Sequence, residues 1–187
     1  MTRSGTGKRT LPPCKAWTSI SYTERGALRL TLDVCIFQNH RDMVKVLTQL
    51  DDRMGAVSSN VELKPNQCWA YTVFFTEPFF TPPPVDGHAM LFFSADKFGA
   101  GIVAHELFHV VWFWFYKRIP QAVRLSKRSK RSLALNEAMA GALEGMTKAL
   151  WSWFLDPKRK PPETPRPPRL DMLLERDCYG KTKTHHA

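Results

Sequence analysis

The chain has 187 residues, 43% of them hydrophobic and 24% charged, a globular balance with enough chain to bury one real core. Its net charge of +10, with an isoelectric point near 9.7, favours acidic partners (nucleic acid, an anionic membrane, an acidic protein surface) without choosing among them. The basic N-terminal stretch MTRSGTGKRTLPP has no apolar run behind it, so no secretory signal is expected there. Cys14, Cys35, Cys68 and Cys178 lie far apart and form no C-x-x-C pair, so free thiols in a reducing, cytoplasmic setting are expected.

Residues 1–15 read as a flexible basic arm. The GTGK at 5–8 lacks the spacing of a phosphate loop, and Arg9 follows the lysine where Ser or Thr belongs. From Ala27 to Phe37 the chain alternates, with Leu28, Leu30, Leu32, Val34 and Ile36 on one side and Arg29, Thr31 and Asp33 on the other. That pattern predicts a strand with one buried face. Asn39 caps a predicted helix in which Met43, Val46, Leu47, Leu50 and Met54 recur at helical spacing, and Gly55 supplies its stop. CWAYTVFF (68–75) and HAMLFFS (88–94) read as two further strands, joined by the proline-laden TEPFFTPPPVDG, which is unsuited to a tight hairpin.

Ser94 is the expected cap of a long helix reaching about Lys117, ended by Pro120. QAVRLSKRSKRS follows as a loop or short helix with a basic tip. A last helix is predicted from about Leu133 to Phe154, stopped before Pro157. Residues 156–187, with their prolines and mixed charges, read as a basic, disordered tail. The fold class expected is α+β: one domain over 16–155, with a small sheet of about three strands and a helical layer.

The chemistry concentrates in GIVAHELFHVVWFW, residues 101–114. His105 and His109 stand at i and i+4, one turn apart on one helix face, a spacing at which two imidazoles can grip one zinc ion. Glu106 is rotated by about 100° from His105, close enough to reach a zinc-bound water without ligating the metal. This is the H-E-x-x-H arrangement, in which the carboxylate takes a proton from the water and returns it to a leaving amine. The uncharged Ile102, Val103, Leu107, Phe108, Val110 and Val111 predict a buried helix, whose polar groups a metal would pair.

A third ligand must come from a second element. LNEAMAG (135–141) resembles the N-E-x-x-(small) helix of gluzincin metallopeptidases, with Glu137 standing 28 positions after His109. The whole order resembles minimal, small-domain zincins. The resemblance covers about residues 27–154 and rests on these two stretches. It implies zinc held by His105, His109 and Glu137, with Glu106 as general base and acid, and a protein or peptide substrate. It also implies that HAMLFFS is the edge strand on which an extended substrate pairs. Gly141 departs from the pattern, since gluzincins often carry an acidic residue there; Glu144 is the alternative for orienting a histidine.

On the last helix Leu135, Met139, Leu143, Met146, Leu150 and Trp153 form one apolar stripe, and Glu137 faces away from it among Gly141, Glu144, Gly145 and Lys148. Read plainly, this is a solvated face with a Glu144–Lys148 pair. Two interior glycines, each costing roughly 1 kcal/mol relative to alanine, favour a helix pressed closely against the motif helix.

Residues 98–116 are long and apolar enough to suggest a membrane span, but His105, Glu106 and His109 at its centre argue against insertion. The aromatic run WFWFY reads as core packing. His88, Tyr116 and Tyr179 are weak candidates for an oxyanion donor. Seven basic residues and no acidic one lie between Glu106 and Glu137, so the loop Arg124–Arg131 is a candidate nucleic-acid contact. The competing reading is a basic nucleic-acid- or protein-binding module whose zinc site is structural or inactive.

Overall fold

The alternation around Leu30 does build a strand, but a central one. The computed structural model of the chain describes residues 11–23, 29–54, 69–75, 87–118 and 130–175. In chain order these form β1 (Cys14–Thr23), β2 (Arg29–Phe37), α1 (His40–Met54), β3 (Ala70–Phe75), β4 (Gly87–Ser94), α2 (Ala100–Arg118), α3 (Lys130–Leu155) and α4 (Pro168–Glu175). The architecture is α+β, with four strands in the order β1-β2-β4-β3. β2 runs parallel to β4, while β1 and β3 pair antiparallel to β2 and β4.

This sheet corrects three expectations. It has four strands, not about three: β1 escaped because CKAWTSISYT carries few strongly apolar side chains, and its ladder comes from pairing with β2. β2 has both faces buried from Asp33 onward, as suits a strand flanked by neighbours and covered on both sides. HAMLFFS is interior, between β2 and β3, so the edge beside the motif helix is β3.

The sheet separates two cores. On one face Leu32, Val34, Ile36, Ala89, Leu91 and Phe93 meet Val103, Leu107, Val110 and Trp114 of α2 and Ala142, Met146 and Leu150 of α3. On the other, Cys35, Phe37, Met90 and Phe92 meet Met43, Val46, Leu47 and Leu50 of α1 and Leu170, Leu173 and Leu174 of α4. A register shift between Cys14 and Ala16 sends these two residues to opposite cores. Cys14 and Cys35 are free, buried thiols; burial, reinforced by Cys14, pushes the Cys35 thiol well above its ordinary value, which leaves it a poor nucleophile. Cys68 and Cys178 lie outside the described residues.

The helix starts follow local chemistry. Asn39 caps α1, its side-chain oxygen accepting the Asp42 N–H at 3.0 Å. Ser94 is not the cap of α2: it ends β4 and donates to Asp96, and the helix begins at Ala100. α3 spans the expected last helix and starts three residues earlier, at Lys130.

The expected disorder of 156–187 does not hold over 156–175. Leu170, Leu173 and Leu174 bury one side of α4 in the second core. The segment before α4 fastens to β1, where the Cys14 N–H donates to the Pro165 carbonyl at 2.8 Å and Trp17 Nε1 to the Thr164 carbonyl at 2.9 Å. Arg166 donates to the Leu11 and Pro12 carbonyls and to the Asp171 carboxylate. Prolines that forbid long regular structure still leave room for one helical turn of leucines, and Pro168 sits at a first helical position, where its missing N–H costs nothing.

Candidate metal centre

α2 lies on the sheet face beneath which β4 and β3 run, and its interior side is an apolar column of Val103, Leu107, Val110, Val111 and Trp114. Three and four residues apart, these positions fix the rotation of the helix. With that face inward, His105 and His109 necessarily point outward, and both are exposed. Their burial, expected from the apolar flanks, is thereby corrected: α2 buries one side only. Glu106 alone of the three is buried, at 8% exposure.

The two imidazoles converge. Their Nε2 atoms stand 3.0 Å apart and the ring planes are nearly perpendicular, at 87°. At that distance one ring carries the proton that the other accepts. Zinc–nitrogen bonds of 2.0–2.1 Å at a tetrahedral angle place two ligand nitrogens roughly 3.3 Å apart. A metal could take the place of the shared proton with little movement of either ring, so the pair fits a zinc ion.

Glu106 turns toward the sheet edge. Its Oε2 accepts a hydrogen bond from Thr72 Oγ1 on β3. Thr72 had no signal of its own in the sequence, since its place opposite Glu106 depends on how β3 pairs with β4 and packs under α2. The contact settles which side of α2 faces the edge strand. The pair Phe74 and Phe113, stacked at 4.0 Å between ring centroids, pins the helix to β3 two turns further on.

The third expected ligand is not brought in. Glu137 is exposed on α3, and among the described residues no group of three or more His, Cys, Asp or Glu side chains is arranged to hold a metal. Glu144 and Lys148 are likewise exposed. α3 does pack against α2, but its small residues serve another contact. A Cβ at Gly145 would lie 3.2 Å from Tyr22 Cε2 and one at Gly141 3.9 Å from the Tyr22 hydroxyl, so the glycines face Tyr22 of β1 and not the motif helix.

The remaining expectations divide. The aromatic run is only partly core: Trp114 is buried, while Trp112 is 52% exposed and stacks with the exposed Phe108 at 6.0 Å beside the histidines. His88 is removed as an oxyanion donor, because it projects from β4 to the opposite face of the sheet, where it meets Asp33 at 3.0 Å. The Tyr116 side chain and Tyr179 lie outside the described residues, as do Arg124, Lys127 and Arg128 of the basic loop. No helix among the described residues is long and apolar enough to cross a membrane. Comparison with known proteins finds no matching family model, no matching curated protein and no matching solved structure.

Proposed function

We propose that the chain is a zinc-dependent peptidase of gluzincin-like type, with His105, His109 and Glu137 as metal ligands and Glu106 as the proton-transfer group. The observation that carries this reading is the division of labour on α2: two Nε2 atoms converge outward while the intervening carboxylate turns toward the edge strand. Bound zinc would supply Lewis acidity, lowering the pKa of a water toward 7.

The protein's own part is positional. Thr72 holds Oε2 of Glu106, which leaves Oε1 to take a proton from the attacking water and pass it to the departing amine. β3 is an edge strand, and an extended peptide added to it would run past Glu106 with its carbonyls in regular array. The exposed Phe108 and Trp112 offer apolar surface to a substrate side chain. The free thiols Cys14 and Cys35 suit a reducing compartment, and we place the protein in the cytoplasm on that ground.

Metal analysis is the first test. Purified protein should hold close to one zinc per chain, His105→Ala and His109→Ala should each abolish it, and Glu137→Ala should weaken it sharply. Glu144→Ala should cost about 10- to 100-fold in affinity if Glu144 orients a histidine. Unchanged zinc in both histidine variants would remove the site, while an unchanged affinity in Glu137→Ala would remove only the third ligand. An unbiased peptide-library digest then reads the activity.

One observation favours a second reading, a basic module that binds nucleic acid or an acidic protein and whose metal site is inactive: Glu137 is not gathered with the histidines. That reading predicts zinc without hydrolysis, and nucleic-acid binding that weakens steeply with salt as counterions are released.

A further inference from the structure

The face of the sheet that carries α1 and α4 is apolar over half its length and polar over the rest. Across the strands, Trp17, Cys35 and Phe92 belong to the core; one row further come Ser19 and Asp33, then Ser21, Thr31 and His88, then Arg29. Asp33 and His88 are nevertheless 2% and 3% exposed. Taking a carboxylate out of water costs several kcal/mol, and apolar replacements of buried ion pairs are often neutral or stabilising. A buried acid in a sheet therefore calls for a role besides stability.

These residues line a cavity of about 600 Å3, within the range of roughly 300–1,000 Å3 that takes small molecules. Among the described residues its wall includes Ser19, Arg29, Thr31, Asp33, His88 and Arg169, closed on one side by Pro167 and Pro168 at the start of α4. The wall carries groups of both signs. Arg29 and Arg169 are exposed guanidiniums, and Arg29 Nη2 is steadied by Ser21 Oγ at 2.8 Å. Asp33 is the buried carboxyl group, with one oxygen on Ser19 Oγ and the other 3.0 Å from His88 Nε2. Each carboxylate oxygen accepts more than one hydrogen, so a ligand N–H or O–H still finds an acceptor there.

We propose that this cavity is a ligand site, separate from the His105–His109 centre, for a small molecule with an oxyanion at one end and a hydrogen-bond donor at the other. The oxyanion, carboxylate or phosphate, meets Arg29 and Arg169, whose planar forks match either group bidentately. The donor, an ammonium or hydroxyl, meets Asp33, which His88 and Ser19 hold in place. The docking of α4 completes the wall, so the segment 164–169 is part of the site.

Calorimetric titration of the whole chain tests this, and its readout is independent of zinc or hydrolysis. The probes are O-phosphoethanolamine and β-alanine, which separate a phosphate from a carboxylate source, with inorganic phosphate as a one-ended control. We expect saturable binding of at least one two-ended probe, tighter than that of inorganic phosphate. Arg29→Ser and Arg169→Ser should each weaken it by about tenfold or more, the size of a lost charged hydrogen bond. Asp33→Asn should erase the advantage of the two-ended probe. Both arginines are exposed, so their variants keep the test decisive even where Asp33→Asn does not fold. Absence of saturation by both two-ended probes at millimolar concentration overturns the proposal. So does binding that both arginine variants leave within twofold, or inorganic phosphate binding as tightly as either two-ended probe.

Discussion

Each face of the sheet carries polar chemistry set into an apolar layer, and the two are built differently. On the α2–α3 face the groups come from one helix, within five residues, and two of the three point to solvent. On the α1–α4 face the Asp33–His88 pair is drawn from two strands 55 positions apart and sealed below 4% exposure. The helix presents its histidines by periodicity alone; the strands bring Asp33 and His88 together only once β2 and β4 lie parallel in register, with Thr31 opposite His88. Local spacing makes an accessible, exchangeable site, and long-range pairing makes a buried, pre-organised one.

The largest expected effect belongs to the helix face. Glu106→Gln keeps the shape of the side chain and its bond from Thr72, but removes the proton acceptor. Peptide hydrolysis should fall by about 10²- to 10⁴-fold with zinc content unchanged. Loss of zinc from this variant would make Glu106 a ligand, and cleavage at the wild-type rate would place catalysis elsewhere.

On the strand face the expected effect is on stability. Asp33→Ala takes the acceptor from both His88 Nε2 and Ser19 Oγ in the wall of the cavity, and breaking a buried pair such as Asp33–His88 costs about 3–5 kcal/mol. Urea unfolding measures it. His105→Ala, on an exposed face, should change stability far less in metal-free protein. Equal losses in the two variants would erase the contrast between a buried pair and a solvent-facing one.

Between these lies Leu173→Ala, which should cost roughly 2–5 kcal/mol as a large-to-small change in a fully buried position. A loss near zero would mean that α4 contributes no core and that the cavity wall at Pro167–Arg169 is dispensable.

The same contrast explains what could be read from the chain beforehand. H-E-x-x-H, the Asn39 cap and the course of α1, α2 and α3 depend on neighbours within a few residues, and periodicity exposed them. β1, the interior place of β4, the Thr72–Glu106 contact and the Asp33–His88 pair depend on partners tens of residues away. Their residue types alone, a serine-rich strand or a lone histidine, carry no such information. α4 was hidden by composition: proline and charge around it describe a disordered segment, and only three leucines at helical spacing mark the part that docks. Glu137 marks the limit from the other side, since its motif spacing was legible but the structure leaves it apart from the histidines.

The smallest effect sharpens the account of α3. Gly141 and Gly145 stand one turn apart, and in an unobstructed helix either change to alanine should gain about 1 kcal/mol in backbone entropy. Their surroundings differ. At Gly141 the new methyl meets only the Tyr22 hydroxyl at 3.9 Å, an ordinary contact, so Gly141→Ala should be stabilising. At Gly145 it lies 3.2 and 3.3 Å from two Tyr22 ring carbons, and Tyr22 is itself packed edge-on against Trp114. The ring must shift by a few tenths of an ångström against that neighbour, and a strain of about 1 kcal/mol or more offsets the gain. Thermal unfolding should therefore show Gly141→Ala raised by about 2–4 °C and Gly145→Ala unchanged or lowered. Equal stabilisation by both would mean that α3 is not held against β1 through Tyr22.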